Sequence, residues 1–537
     1  MKKIIGLVVI LAALVLGGYY GMGLITERTL KKTVEVVNQS NGIFVDVEQY
    51  NRGWFTSSAV LNWRLHIPER VVKGANGQST TVAAEDYTIQ MPLAIYHGPV
   101  IVADSAVQFG FGYAHSDLAM PQLYATKFDT TFTNESTKPR LTLSLFVNYL
   151  NNTSLHVGLP SFKLFSKQGG DQFEWYGMDS NLSVSSSLNQ IDGRIDVRGA
   201  SMKKNQMQAT LGNVSSDYDL HQTSTGIYLG EANLSLPSLV VEENKHKIFE
   251  VDQFALHSRS EVEDSLFNSY FKTSLDKVIV QDKTYGPALV EMSLKNLDAQ
   301  ALADINQQAN KMQQGSDSER QQALLAMLPE LPRLFGKGAQ LEISKLSFVL
   351  PEGAVEGNLL VSLPKGDTGN PFQLLQKVQG HATLKVPTVV VKQLLMVSVK
   401  QKLLNQSSVQ QAMIQQMKNN ASVQDSAVVS APTAPTEMSK PVEATTTAPA
   451  AASAPTAPDA TQAPAQTGDQ SQEVQAKPLT VAEVEQQSSV QTEQKLADLV
   501  KLGLLSVQGN EYVIDLNLVQ GQLSVNGKPF NPAMMQF

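Results

Sequence analysis

Apolar residues recur at every second position over a long part of the chain, from about residue 42 to 292. In the segment 140–149, Leu141, Leu143 and Leu145 alternate with polar residues. Successive side chains of a strand point to opposite faces, so this period predicts a strand with one wet face. Further strands are predicted at Arg194–Arg198, Asn233–Leu239, Val278–Val280, Leu341–Leu350 and Val355–Leu363.

Helical spacing of apolar residues alternates with these strands in the second half of the chain. Helices are predicted at Thr26–Ser40, Ala299–Met312, Ser318–Met327, Pro387 to about Asn419 and Thr480 to about Leu502, and later strands at Glu511–Val519 and Gln522–Val525. Asp192-Gly193 predicts a hairpin, because glycine accepts the positive φ of a tight turn. The predicted fold class is α+β, predominantly antiparallel β with several helices and one N-terminal transmembrane helix. The alternating strands favour an ordinary β-sandwich core.

The N-terminal segment from Ile4 to Thr26 contains no charged residue. A helix of this length reaches roughly 35 Å, enough to cross a hydrocarbon core of about 30 Å. Lys2 and Lys3 precede the run, which favours a cytoplasmic N-terminus. The prediction is a single-pass protein of a bacterial inner membrane with its bulk in the periplasm. A cleaved signal peptide is the alternative, and it exports the same residues.

Residues 421–478 are rich in Ala, Pro, Thr, Ser and Gln and contain no aromatic side chain. This composition predicts a disordered linker, since it offers too little apolar surface to offset the entropy of ordering. The predicted organisation is a membrane anchor at 1–26, a stalk at 27–41, a β-rich periplasmic domain at 42–297, a helix-and-strand region at 298–420, the linker at 421–478, and a C-terminal helix and β-hairpin at 479–537.

Composition removes several classes of function. A net charge of −8 opposes nucleic-acid binding, which depends on clustered Lys and Arg. The chain has no cysteine, and its eight histidines never form an H-x-x-x-H or H-E-x-x-H pattern. No nucleophile elbow and no phosphate-binding loop with its lysine is present. We therefore predict no catalytic residue, no metal site and no cofactor.

One cluster of motifs stands out from the strand pattern. Glycine ahead of two large aromatic residues predicts a bend that lets both aromatics enter a core, with a neighbouring arginine able to stack or pair. A structural role is favoured over a binding site. The residues singled out are Tyr50, Arg52, Gly53, Trp54 and Phe55, together with His97, Gly98 and Pro99.

A collinear series of short motifs resembles the YdgA family, bacterial inner-membrane-associated proteins that carry a domain of unknown function. The series comprises the N-terminal anchor, Tyr50 with Arg52–Ser58, His97-Gly98-Pro99, Gly226–Gly230, Tyr285–Ala288, Asn296–Asp298 and Asn526–Pro529. The resemblance implies an exported domain and supplies no catalytic residue.

These observations lead to two hypotheses of function. The first is a non-enzymatic, membrane-anchored periplasmic protein with a binding or scaffold role toward envelope proteins or an apolar ligand. The alternative is lipid transport or envelope biogenesis along an apolar β groove. A continuous apolar groove open to solvent favours the alternative, and a filled core favours the first hypothesis. The predicted partners are the inner membrane and envelope proteins or lipid, without nucleic acid; the oligomeric state is unknown.

Overall fold

A computed structural model describes residues 2–38, 43–67, 70–73, 79–82, 85–103, 106–120, 122–187, 189–314, 317–366, 376–405 and 481–530. Within these ranges the helices are α1 Lys2–Asn38, α2 Gln122–Thr131, α3 Ala299–Gln314, α4 Asp317–Met327, α5 Glu330–Phe335, α6 388–405 and α7 Val481–Leu502. The predicted linker at 421–478 lies outside the described residues.

Most of the described chain is β-structure. The first strands are β1 Ile43–Arg52, β2 Thr56–Ile67, β3 Arg70–Lys73, β4 Ser79–Val82, β5 Glu85–His97, β6 Val100–Ala103, β7 Ala106–Phe109, β8 Gly112–Ala119, β9 Arg140–Val147, β10 Thr153–Leu159, β11 Phe162–Phe165, β12 Gln172–Trp175, β13 Met178–Val184, β14 Gln190–Val197 and β15 Ala200–Lys204. They continue as β16 Met207–Leu211, β17 Val214–Gln222, β18 Tyr228–Glu243, β19 His246–Glu263, β20 Leu266–Leu275, β21 Lys277–Val280, β22 Lys283–Tyr285, β23 Ala288–Asp298, β24 Gln340–Leu350, β25 Gly353–Ser362, β26 Gln379–Pro387, β27 Ser506–Gln508, β28 Glu511–Val519, β29 Gln522–Val525 and β30 Lys528–Pro529.

Nearly all strands join one 26-stranded sheet in which every pairing is antiparallel. Its main ladder runs β1-β2-β5-β8-β9-β10-β13-β14-β17-β18-β19-β20-β23-β24-β25-β26-β28-β29-β30. The prediction of a mostly antiparallel α+β fold is confirmed. Strand pairing continues without a break past residue 297, because β23 pairs with β24. The predicted domain boundaries stay predictions.

Several neighbouring strands, or the pairing along them, are interrupted at corresponding places, and we call this line of interruptions the crease. The interruptions lie at Pro160-Ser161, Tyr176-Gly177, Arg198-Gly199, Gly212-Asn213, Pro237, Asp252-Gln253, Asp276 and Gly286-Pro287. On one side of the crease, the first wing continues the main ladder. On the other side, the second wing pairs β11-β12-β15-β16-β18-β19-β21-β22.

The apolar period changes by one residue at every interruption. Within each wing, apolar residues recur at every second position, and across the crease the spacing is three residues. The residues on the two sides of each interruption are Leu159 and Phe162, Trp175 and Met178, Val197 and Ala200, Leu211 and Val214, Leu236 and Leu239, Val251 and Phe254, Leu275 and Val278, and Tyr285 and Ala288. In the second wing these residues are direct cross-strand neighbours, for example Phe162, Trp175, Ala200 and Leu211. All of them therefore share one face, which we call the apolar face.

The apolar face is not a filled sandwich core, which corrects the expectation from the alternating strands. Mid-strand side chains such as Leu182, Ile195, Phe271 and Met292 stay partly exposed. Three buried hydrophobic clusters of the sheet lie where helices contact it, under α1 and at α3 and α5, and a fourth lies where the β6–β7 hairpin packs on β8. A period of two indicates that one face of a strand is polar and the other apolar. It does not show whether a second layer of structure covers the apolar face.

The predicted hairpin at Asp192-Gly193 is wrong. Gly193 lies inside β14 and pairs with Leu182 on one side and Tyr218 on the other. A Cβ at Gly193 would stand 2.5 Å from the Tyr218 hydroxyl, so glycine leaves room for the tyrosine ring on the apolar face. Its role is cross-strand packing, and its φ is not positive.

The predicted membrane span at Ile4–Thr26 falls in α1. Of the helices with described side chains, which in α1 begin at residue 15, none is both long and apolar enough to cross a membrane.

The chain divides into two compact units, Met1–Val390 with Leu499–Phe537, and Val391–Asp498. The first unit contains the sheet and α1. In the second unit, Val399, Leu403 and Val484 form a small buried cluster between two helical segments. Lys400 and Glu485, 3.4 Å apart, pair across the same segments.

We expect Gly199→Ala to destabilise the creased sheet. Gly199 has φ +109°, and its added Cβ would stand 2.4 Å from the Leu211 carbonyl oxygen. Backbone strain of this kind costs on the order of 1–3 kcal/mol, and the clash adds to it. Gly226→Ala is the matched control, because Gly226 has φ +87° and no atom within 4 Å of the added Cβ. Thermal unfolding should give the lower Tm for Gly199→Ala; equal Tm values would contradict a close-packed crease.

Candidate functional site

The C-terminal half of α1 lies on the apolar face of the first strands. Leu30 and Val34 pack against a buried cluster that includes Val45, Leu61 and Ile95. Tyr50 belongs to the same packing. Its hydroxyl is buried; burial raises the pKa of Tyr50, and the nearby Ser57 hydroxyl opposes this effect. The helix therefore covers the beginning of the apolar face.

A tight turn between β1 and β2 directs two aromatic side chains at α1. The Gly53 amide donates to the Thr56 carbonyl at 3.0 Å, and a Cβ at Gly53 would lie 2.4 Å from that oxygen. Only glycine fits such an approach. The ring of Trp54 then packs on Tyr20 at 5.3 Å between centroids, and that of Phe55 on Tyr19 at 4.9 Å.

Trp54 and Phe55 do not enter a core, contrary to expectation. Trp54 is 56% exposed and Phe55 50% exposed. Both sit at the edge of the sheet where α1 leaves it, so each ring has a helix on one side and solvent on the other. The sequence predicts the bend at Gly53. It does not show that the two aromatic side chains after the bend pack against a single helix.

Arg52 both pairs and stacks with α1. Its guanidinium lies 3.1 Å from a Glu27 carboxylate oxygen and 5.0 Å from the centroid of the Tyr20 ring. It also donates to the Tyr20 hydroxyl at 3.2 Å. The pair is partly exposed, so its contribution to stability is small, on the order of 1 kcal/mol or less. Its planar donors fix the rotation of α1 over the turn.

His97 packs directly against α1. The side chain is 1% exposed, and both ring nitrogens are buried. Burial lowers the pKa of His97; the nearby Trp54 carbonyl opposes this effect, and the positive charge of Arg52 adds to it. The ring is therefore neutral near pH 7 and packs as an apolar surface. A Cβ at Gly23 would stand 2.5 Å from Nδ1, so α1 can approach only because residue 23 is glycine.

Gly98 and Pro99, joined by a cis peptide bond, lead from β5 into the β6–β7 hairpin. The Gly98 amide donates to the Phe111 carbonyl at 2.9 Å, and the Tyr149 hydroxyl donates to the Pro99 carbonyl. A Cβ at Gly98 would overlap the Gly110 carbonyl oxygen at 1.6 Å. These contacts hold three turns of the sheet edge beside one another.

The eight residues singled out from the sequence thus lie together around α1. Sequence reasoning missed the helix residues that face them, above all Tyr19, Gly23 and Glu27. The only local signal is the glycine pair Gly21 and Gly23 within an apolar run, which does not identify a partner distant in the chain.

Beyond α1 the apolar face continues across the ladder from β9 to β29. The cross-strand pairs Leu145 with Leu155, Ile343 with Leu359, and Leu384 with Ile514 are examples of its continuity. Charged residues occupy the opposite face, where they pair in Lys163–Glu174, Arg194–Asp196, Arg198–Asp179, Arg259–Glu231, Lys272–Glu291 and Lys295–Glu342. The sheet is thus two-sided, with an apolar side that is open in part and a charged side.

Ion pairs on the charged face shift the pKa of two carboxyl groups. Lys247, aided by Lys277, lowers the pKa of the Glu250 carboxyl, and Lys295 lowers that of Glu342. Within the described ranges, no three His, Asp or Glu side chains are close enough together to hold a metal ion.

Comparison with known proteins gives one match. The model of a bacterial protein family of unknown function, DUF945, matches residues 1–533, and the chain belongs to that family. The resemblance to YdgA-type proteins is consistent with this match, although no named relative supports it. No curated protein and no solved structure matches the chain.

We expect Gly23→Ala to loosen α1 from the body, because the added methyl group meets the buried His97 ring at 2.5 Å. Gly21→Ala is the control, since nothing lies within 4 Å of its Cβ. Alanine favours helix over glycine by about 1 kcal/mol, so the control should be neutral or stabilising. Hydrogen exchange of the full chain should show faster exchange in residues 19–30 for Gly23→Ala alone. Unchanged exchange would mean that the helix does not depend on this contact.

Proposed function

We propose that this member of the DUF945 family is a non-enzymatic envelope protein that binds lipid acyl chains along the apolar face. The observation that supports this most directly is the partial exposure of mid-strand apolar residues in the ladder beyond α1, including Leu182, Ile195 and Met292. Contiguous apolar surface that is open to solvent normally marks a binding surface.

The dimensions suit an acyl chain. Neighbouring strands are about 4.8 Å apart, so the ladder from β9 to β29 provides a strip roughly 60 Å long. This is about twice the thickness of a bilayer hydrocarbon core, about 30 Å. The strip therefore has room for more than one lipid chain, or for a chain that moves along it.

We also propose that the protein is held in a bacterial inner membrane with its bulk in the periplasm. The support is the sequence, in which the uncharged run begins at Ile4, ahead of the first described side chain at residue 15. The positive charges of Lys2 and Lys3 favour a cytoplasmic N-terminus. In this arrangement α1 joins the membrane directly to the start of the apolar face.

A scaffold role toward an envelope protein is the second candidate. The observation that favours it is the charged face, where carboxylates and basic groups alternate along adjacent strands, as in Arg259 beside Glu231. Such a surface suits a polar protein partner better than an apolar ligand. The two roles use opposite faces, so they can be tested separately.

Photo-crosslinking in cells distinguishes the two faces. A photoreactive amino acid placed at Leu182 or Ile195 reports on the apolar face, and one at Asn181 or Arg194 reports on the charged face of the same two strands. We expect lipid adducts, identified by mass spectrometry, at Leu182 and Ile195 only. Protein adducts at Asn181 and Arg194 without any lipid adduct at Leu182 or Ile195 would contradict the lipid proposal and favour the scaffold role.

A further inference from the structure

We infer that the edge of the sheet around α1 is a membrane-docking surface that rests on the lipid bilayer. The surface, which we call the collar, consists of exposed apolar side chains from three neighbouring turns. They are Trp54 and Phe55 of the β1–β2 turn, Val102, Val107 and Phe109 of the β6–β7 hairpin, and Leu150 of the β9–β10 turn. The inference rests on the proposed membrane anchor and is independent of whether the apolar face binds lipid.

Four of the collar side chains are at least 60% exposed to solvent and lie on adjoining turns. Val102 is 67% exposed, Val107 60%, Phe109 62% and Leu150 76%. Single exposed apolar residues are normal, but a contiguous group marks an interaction site. Fully burying one such side chain contributes roughly 1.5–3 kcal/mol, so several together give appreciable affinity for an apolar phase.

Hydrogen bonds hold the three turns together as one surface. The His97 amide donates to the Phe55 carbonyl at 2.9 Å and so links the β1–β2 turn to the end of β5. The Tyr149 hydroxyl donates to the Pro99 carbonyl, which joins the β9–β10 turn to the hairpin. The Phe111 and Tyr149 rings pack edge to face at 5.6 Å beneath them. The collar is therefore fixed by the fold and does not depend on one flexible loop.

The helix α1 identifies the bilayer as the occupant. It passes through the collar at Tyr19, whose hydroxyl donates to the Val100 carbonyl at 2.8 Å. From there it continues toward the N-terminus, first with exposed Val15 and Leu16 and then into the uncharged run that begins at Ile4. The apolar end of the helix and the collar thus lie on the same side of the sheet edge. A chain that enters a membrane at this point brings the collar to the membrane surface.

The residue types agree with an interfacial position. Trp and Tyr, whose rings are amphipathic, are enriched where a membrane meets water. The collar and α1 supply Trp54 packed on Tyr20, and Tyr19 packed on the apolar ring of Phe55. The sequences of the three turns, 53–56, 98–111 and 148–152, contain no Lys or Arg, and Asp104 is their single charged residue. Attraction to anionic lipid therefore has no basis in these turns, and docking should be driven by apolar insertion.

The absence of native cysteine permits a direct test with the full chain. Single cysteines at Val107 and Leu150 are labelled with an environment-sensitive fluorophore, and the protein is reconstituted in phosphatidylcholine vesicles with lipid-borne quenchers. The control is a label at Tyr124, also exposed, on α2 at the far end of β8, about 27 Å along the strand. Circular dichroism and Tm first establish that each labelled variant is folded.

We expect blue-shifted emission and severalfold stronger quenching by lipid at Val107 and Leu150 than at Tyr124, with no gain when anionic lipid is added. Emission typical of water at both collar positions in the membrane-bound chain would overturn the inference. A blue shift at the collar positions that appears only after an extract of envelope proteins is added would also overturn the inference, in favour of a protein partner. Loss of lipid crosslinks at Leu182 leaves these expectations unchanged, so failure of the collar and failure of the lipid-binding proposal are distinguishable.

Discussion

Antiparallel pairing places directly opposed residues on the same side of a sheet. One extra residue in a single strand, unmatched in its neighbours, would therefore move the apolar side chains beyond it to the other face. At the crease, each strand has one extra residue between its apolar positions, so the spacing there is three residues. The extra residues lie at matching places in neighbouring strands. Tyr176-Gly177 separates Trp175 from Met178, and the same three-residue step recurs in the neighbouring strand lines. Because every step is equal, the apolar face stays continuous across both wings. The continuous apolar face, and with it the proposed binding surface, depends on this equal spacing in neighbouring strands.

The helix α1 is the second element that the account requires. It covers the apolar face where the ladder begins and leaves the sheet through the collar, so the uncovered part of the face starts beside the helix. A neutral His97 against Gly23 and the planar Arg52 against Tyr20 fix that position. In the proposed membrane-anchored arrangement, a lipid leaving the outer leaflet would meet the collar first and the apolar face next, without crossing the charged side of the sheet.

The sequence predicts individual elements well where the signal is local. β28 and β29 have the predicted bounds Glu511–Val519 and Gln522–Val525, because turn residues bracket a clear alternation. The helices α3 and α4 also fall where helical spacing places them. The hairpin prediction at Asp192-Gly193 was wrong because, in a sequence, a glycine that makes room for a tyrosine on the next strand cannot be distinguished from a turn glycine.

The architecture of the sheet was not predictable from the same signals, since a period of two is identical for a covered and an uncovered face. The step of three is visible in retrospect, as in Leu211 and Val214 around Gly212-Asn213, but it has meaning only when the strands are aligned. The contacts of α1 with residues such as His97 join parts of the chain that are far apart in sequence, and nothing local indicates them.

The accessibility of the apolar face is the most direct test of the central claim. Single cysteines at Ile195 and, on the opposite side of the same strand, at Arg194 can be labelled with a small maleimide under native conditions. An open face predicts rapid labelling at both positions, with added phospholipid protecting Ile195 and leaving Arg194 unchanged. A covered core would label Ile195 only at the rate of unfolding, with or without lipid, and that result would contradict the account.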